Sequence, residues 1–163
     1  SLHQDPSFFY PGRGFLDEIG ESEGEGYTVN VPFPGESGDI DYQFVTDEFL
    51  APLISDFDPE FIFISAGFDS HKDDAISSLR LGEKGYSVMA KKLMELSGEL
   101  CQNRLALELE GGYNSEALAL SLHNVAQVFL GEMNPEKIDS QPGDSTKQLV
   151  SQLRDTFRSY HSL

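Results

Sequence analysis

Cationic side chains are scarce: the 163 residues hold 11 Lys and Arg against 28 Asp and Glu, for a formal charge of −17. That balance disfavours direct nucleic-acid binding, whose affinity comes from neutralising phosphates with basic side chains. A field of this sign concentrates cationic ligands near a cleft, less so in high salt, although acidity also serves solubility alone. Cysteine is nearly absent. The single Cys101 excludes an intramolecular disulfide and fits a reducing compartment; in its helical stretch it reads as a small packed apolar residue. There is no run of about 20 apolar residues and no basic-then-apolar leader, so no membrane partner and a cytoplasmic location are expected. Neither G-x-G-x-x-G nor a Walker lysine occurs, which removes support for a nucleotide-phosphate loop, and no internal repeat is visible.

What is present fits one core, since a chain of this length buries roughly 70% of its unfolded surface. Residues 1–26, rich in glycine, proline and aromatics, show no periodicity and read as loop with an ordered aromatic cluster. A strand is expected over 27–31, ended by Pro32 and Pro34. The spacing of Tyr42, Phe44, Val45, Phe49, Leu50, Leu53 and Ile54 predicts a helix over 41–55, with Asp39 or Asp41 as N-cap and Pro52 a kink. FIFISA at 61–66 reads as a strand covered on both faces. After a loop over 67–81, a helix is expected from Gly82 or Glu83 to Gln102, then a third strand, LALEL, at 105–109. A helix ended by Gly131 follows. The segment from Gly131 to Asp144 reads as linker, and 145–160 as a last amphipathic helix. Alternating strands and helices predict right-handed crossovers and a parallel sheet.

Two strands end in chemistry-bearing loops, SAGFDSHKDD (Ser65 to Asp74) and EGGYN (Glu110 to Asn114). Parallel strands deliver such loops to one edge, so Asp69 and Tyr113 are expected to be neighbours across a shared crevice. Asp69 with His71, Asp73 and Asp74 is ambiguous: it suits a divalent ion, or caps a helix, or faces water. His71 by itself reads as a surface histidine. Gly111 and Gly112 allow a sharp turn and close approach of a ligand. Tyr113 serves either as a donor to a developing oxyanion or as a packed structural tyrosine.

Taken together and in order, SLHQDPSFFYPGRG, IGESEGEGYTVNVPFP, SAGFDSHKDD and LELEGGYN resemble the later half of the histone deacetylase and acetylpolyamine amidohydrolase superfamily. The resemblance implies an arginase-like, three-layer α/β fold, a parallel sheet with helices on both faces. It implies that residues 1–138 are the C-terminal half of the deacetylase-like domain and 139–163 a linker and C-terminal helix. Asp69 looks like the third ligand of a catalytic zinc, and Tyr113 like the tyrosine that polarises the scissile amide carbonyl. Gly111 and Gly112 shape the adjacent wall, and Phe9 and Tyr10 fall where the family places aromatic walls of an acyl-lysine or acylpolyamine tunnel. Ser1 and Leu2 match positions that help bind a structural potassium ion, and Tyr27 a backbone ligand of a second one.

There are departures. Ala75 stands where the family usually has proline, which is expected to loosen the loop over the tunnel mouth. The Asp-x-His motif that supplies two zinc ligands and the paired histidines that activate water have no counterpart from Ser1 onward. The expectation is therefore a portion of a zinc-dependent amidohydrolase, inactive as an isolated chain and completed by a missing N-terminal half or by a second copy of itself. One rival is a non-catalytic module that dimerises or docks through an unpaired strand edge. The other is a local metal loop using Asp69, His71 and Asp73.

Overall fold

The computed structural model describes residues 1–163, apart from the side chain of Phe8. Its strands are β1 (Leu2–Gln4), β2 (Val31–Phe33), β3 (Ile62–Ala66) and β4 (Leu105–Leu109), and its α-helices are α1 (Asp39–Val45), α2 (Ala51–Phe57), α3 (Glu83–Cys101), α4 (Ser115–Phe129) and α5 (Asp144–Phe157). All pairing between strands is parallel, β1 with β2 and β3 with β4, as expected of an α/β fold. Residues 1–26 are more ordered than their composition suggests: β1 lies there, with two short 3-10 turns at Pro6–Phe8 and Ser22–Gly24. Tyr10 is largely exposed and Phe15 partly so.

The second strand is displaced from 27–31 to Val31–Phe33 and runs through Pro32. Val31 N donates to Ser1 O (2.9 Å) and Phe33 O accepts from Asp5 N (2.8 Å), so residues 31 and 33 bond toward β1. The nitrogen of the residue between them points away, where a missing N–H costs no ladder bond.

The expected helix over 41–55 is a longer helical run, 39–57, interrupted by a π turn at Thr46–Leu50. Pro52, just beyond the π turn, cannot donate to the carbonyl four residues back. That carbonyl, Glu48 O, accepts instead from Arg154 Nη2 at 2.5 Å. Neither Asp39 nor Asp41 is the N-cap, which is Gly38. Asp41 Oδ2 accepts from Gly38 N (3.0 Å), while Asp39 Oδ1 reaches across to Gly82 N (2.6 Å) at the start of α3.

The core joins Val31, Phe33, Tyr42, Val45, Phe49, Phe68, Leu79, Leu81 and Tyr86 with Leu149, Val150, Leu153 and Phe157 of α5. At roughly 1.5–3 kcal/mol per fully buried large apolar side chain, the four from α5 tie that helix into the same core. Polar contacts reinforce it: Asp41 Oδ1 accepts from Thr146 Oγ1 (2.6 Å) and Gly143 N (3.2 Å), and Gln43 pairs through both amide atoms with the Ile138 backbone. Cys101 is buried, as its sequence context predicts. One face of β3–β4 is open. Phe61 and Phe63 are 52% and 60% exposed there, and Ser65 and Glu108 share that exposure. No helix is long and apolar enough to cross a membrane among the described residues.

Candidate functional site

Because β3 and β4 pair in parallel, with Ala66 opposite Leu109, their outgoing loops leave the same edge. Pairing continues past the strands: Glu110 N donates to Ala66 O (3.0 Å) and Phe68 N to Gly111 O (2.8 Å). A Cβ on Gly111 would stand 2.7 Å from Asp69 Oδ2, so glycine is what lets the second loop pass over this carboxylate. Gly112, at φ +136°, is packed against Phe68 and Leu118 in a conformation other residues rarely adopt. Asp69 and the Tyr113 backbone thus meet at one sheet edge, with Asp69 half-buried and Tyr113 projecting, 70% exposed.

Burial pushes the Asp69 carboxyl above its ordinary range, and the charge of Asp74 adds to this against the lowering effect of a backbone N–H. Beneath it, the phenols of Tyr42 and Tyr86 are buried, and desolvation drives their ionisation upward, helped by nearby acidic charge including that of Asp69. Neither hydroxyl has a hydrogen-bond partner among the described residues.

His71 is not a surface residue. It is 0% exposed; its Nδ1 accepts from Asp73 N at 3.1 Å, and its ring lies parallel to Tyr86 at 6.5 Å. Its Nε2 has no hydrogen-bond partner among the described residues, with Glu83 Oε1 3.7 Å away. A local metal loop of Asp69, His71 and Asp73 is therefore not formed. No three of His, Cys, Asp and Glu come together to hold a metal ion among the described residues. A catalytic zinc takes about three protein ligands plus an open position. Asp69 suits it as one hard, desolvated ligand, but these residues alone do not make up a zinc centre.

Asp74 shows what the first loop is for structurally. Its Oδ2 accepts from Tyr113 N (2.6 Å) and Asn114 N (3.0 Å), and its Oδ1 from Ile76 N (3.0 Å). Asn114 returns the contact through Nδ2 to Asp73 O (2.7 Å) while its Oδ1 caps α4. Around Ala75 the loop is held by Ser77 Oγ on Asp69 O (3.1 Å) and by Ser78 N on Gln4 Oε1 (2.8 Å). Burial raises the Asp74 carboxyl, but the three backbone donors outweigh it and leave its pKa below the ordinary value. A depressed folded-state pKa contributes stability in full above the unfolded value of about 3.9, lost as pH falls through the folded one. The amides of Tyr113 and Asn114 should therefore keep their hydrogen-exchange protection from about pH 7 to pH 5 and lose it only below about pH 4. Loss already near pH 6 would contradict this assignment.

The other expected site residues, Ser1, Leu2, Phe9, Tyr10 and Tyr27, belong to the first 27 residues. Ser1 Oγ bonds His3 Nδ1 (3.0 Å), whose Nε2 bonds Gly14 O (2.8 Å), and Leu2 is in β1. Tyr27 packs edge-on against Phe57 and His161. Phe9 O accepts from Gly12 N (2.9 Å) in the turn that presents Tyr10. Two surface grooves, of about 540 Å³ beside Ser87, Leu120 and Asn124 and about 510 Å³ beside Phe15, Pro32 and Leu149, include neither Asp69 nor Tyr113.

Comparison with known proteins gives this geometry its context. Residues 1–129 match the family model described as the histone deacetylase domain. The chain is 46% identical over 116 residues to "Probable deacetylase" of Archaeoglobus fulgidus, covering 71% of this chain and 32% of that protein. It is 36% identical over 163 residues to "Histone deacetylase 14, chloroplastic" of Arabidopsis thaliana, covering 100% of this chain and 38% of that one. The HDA15 HD domain superposes with TM-score 0.88 at 37% identity over 99% of this chain and 43% of its own. The histone deacetylase Clr3 gives 0.90 at 30% identity, over 98% and 27%. The chain thus spans 32% to 38% of the length of these curated relatives. With parallel strands delivering Asp69 and Tyr113 to one edge, and with the domain model covering residues 1–129, the chain belongs to the histone deacetylase family.

Proposed function

We propose that this chain supplies one side of a deacylase site that releases acetate from acetyl-lysine or acetylpolyamine amines. Asp69 is one ligand of a zinc ion whose other ligands lie outside these residues, and when bound that ion supplies Lewis-acid polarisation of the acyl group. The Tyr113 phenol donates a hydrogen bond to the acyl oxygen as charge develops on it, an arrangement worth most where water is excluded. Gly111 keeps the wall beside Asp69 free of side-chain bulk, and Phe9 and Tyr10 flank the arm of the substrate. The acidic surface favours a cationic amine. Ser1 and Leu2 belong to one potassium site and Tyr27 to a second, each as one of several oxygen ligands. A reducing, cytoplasmic setting suits the buried free thiol of Cys101.

The observation that carries this reading is the latched pair of loops, which brings a desolvated carboxylate and an outward-facing phenol to one edge. The isolated 163-residue polypeptide is inactive on this proposal, since it assembles no three-ligand metal set among its described residues. The exposed Phe61 and Phe63 face is then where the rest of a deacetylase domain packs. Sedimentation of the isolated chain checks that point: self-association, or capture of the complementary deacetylase segment, is expected. A strictly monomeric chain that ignores that segment would reject it. The site itself is tested by Asp69→Ala and Tyr113→Phe in the native polypeptide that contains residues 1–163.

A further inference from the structure

Asp74 is only 6% exposed, yet it forms no ion pair among the described residues; its oxygens are taken by three backbone N–H groups on two loops. Two of those donors are the amides of Tyr113 and its neighbour Asn114. The Tyr113 side chain is mostly solvent-facing, and its ring joins no aromatic pair among the described residues. Its placement is therefore set by the peptide it projects from. We propose that Asp74 is the positioning residue for Tyr113, a carboxylate latch that fixes the phenol's origin relative to Asp69 without touching substrate. This rests on the reading of Tyr113 as hydrogen-bond donor to the acyl oxygen.

The chemistry of the latch needs a carboxylate. An ionised Asp is acceptor-only at both oxygens, whereas Asn has one acceptor oxygen and a donor NH₂. In Asp74→Asn, whichever way the amide is turned, the NH₂ faces either Ile76 N–H or the Tyr113 and Asn114 pair. Donor then meets donor, and the latch opens on at least one side. Hydrogen bonds to charged acceptors are the stronger kind, so their loss is felt locally even if the core stays intact.

The experiment has two readouts. In the 163-residue chain, amide hydrogen exchange of Asp74→Asn should speed up at Tyr113 and Asn114 by roughly 10- to 100-fold, while α3 and α5 keep their protection. Unchanged exchange at those two amides overturns the latch. In the native polypeptide, Asp74→Asn should lower kcat by roughly 10-fold or more at little-changed KM, and should cost almost nothing further in a Tyr113→Phe background, because the two act as a unit. Independent, multiplicative losses overturn the positioning role. Should thermal melting show that Asp74→Asn does not fold, Asp74→Glu carries the same cycle, since it keeps the charge but displaces the loop by a methylene. Full activity of Tyr113→Phe itself overturns the function of Tyr113 and the positioning role together. That pattern is distinct from an impaired Tyr113→Phe beside an unimpaired Asp74→Asn, which overturns the latch alone.

Discussion

Replacing Tyr113 by phenylalanine should, on the proposed role, lower kcat for release of acetate from an acetyl-lysine peptide by about 100- to 1,000-fold, with KM little altered. The magnitude is that of removing one donor from a preorganised oxyanion-stabilising site. The substitution is conservative in every other respect, because the ring faces solvent and the backbone N–H that meets Asp74 is retained. A hydrogen bond made only as charge develops appears in kcat and not in ground-state binding. Asp69→Ala should remove activity altogether, since it takes away the proposed metal ligand and leaves Gly111 without the carboxylate it packs against. Steady-state kinetics on the native polypeptide that contains residues 1–163, with an acetyl-lysine peptide and an acetylpolyamine side by side, decides the matter. Wild-type rates in both variants would reject both roles.

The second large effect concerns stability. Phe157→Ala should cost about 3–5 kcal/mol, the range for truncating a buried aromatic residue. Phe157 is fully buried and its ring stands 6.0 Å from that of Phe49, so the lost volume opens where α5 meets the π turn. Small domains hold about 5–15 kcal/mol in total, so the variant should be substantially destabilised or unfolded at room temperature. Urea titration followed by circular dichroism measures this, read as a fall in midpoint at constant slope. The family model ends at residue 129, so the result also bears on how far the folded unit extends. A midpoint within error of wild type would mean that the contacts of α5 contribute little.

Much of the fold was legible where one period dominates a long stretch. LALEL fills Leu105–Leu109 as expected, and the stripe along α3 ends at Cys101, one residue from the expected Gln102. The shared edge of Asp69 and Tyr113 followed from strand order alone. Three things were illegible for physical reasons. A three-residue strand such as Leu2–Gln4 has too few positions to show alternation, and only its partner identifies it. Pro32 signals the end of a strand unless one knows that the neighbour bonds to Val31 and Phe33 and leaves the Pro32 nitrogen facing away. His71 sits in a loop of charged residues, and nothing local says that Tyr86, fifteen positions later, will roof it. Asp74 was visible as part of an acidic cluster, but its partners are backbone amides, which every residue except proline carries and which therefore leave no trace in side-chain identity.

The substitute donor at Glu48 O has a bearing on how the molecule comes into being. The guanidinium that serves the Glu48 carbonyl, to which Pro52 cannot donate, belongs to Arg154, more than a hundred residues later. While the polypeptide is emerging from a ribosome, at about 5–20 residues per second, Arg154 reaches that oxygen only several seconds after Glu48 has been added. That contact between the interrupted helical run and α5 therefore forms only once α5 itself has been made.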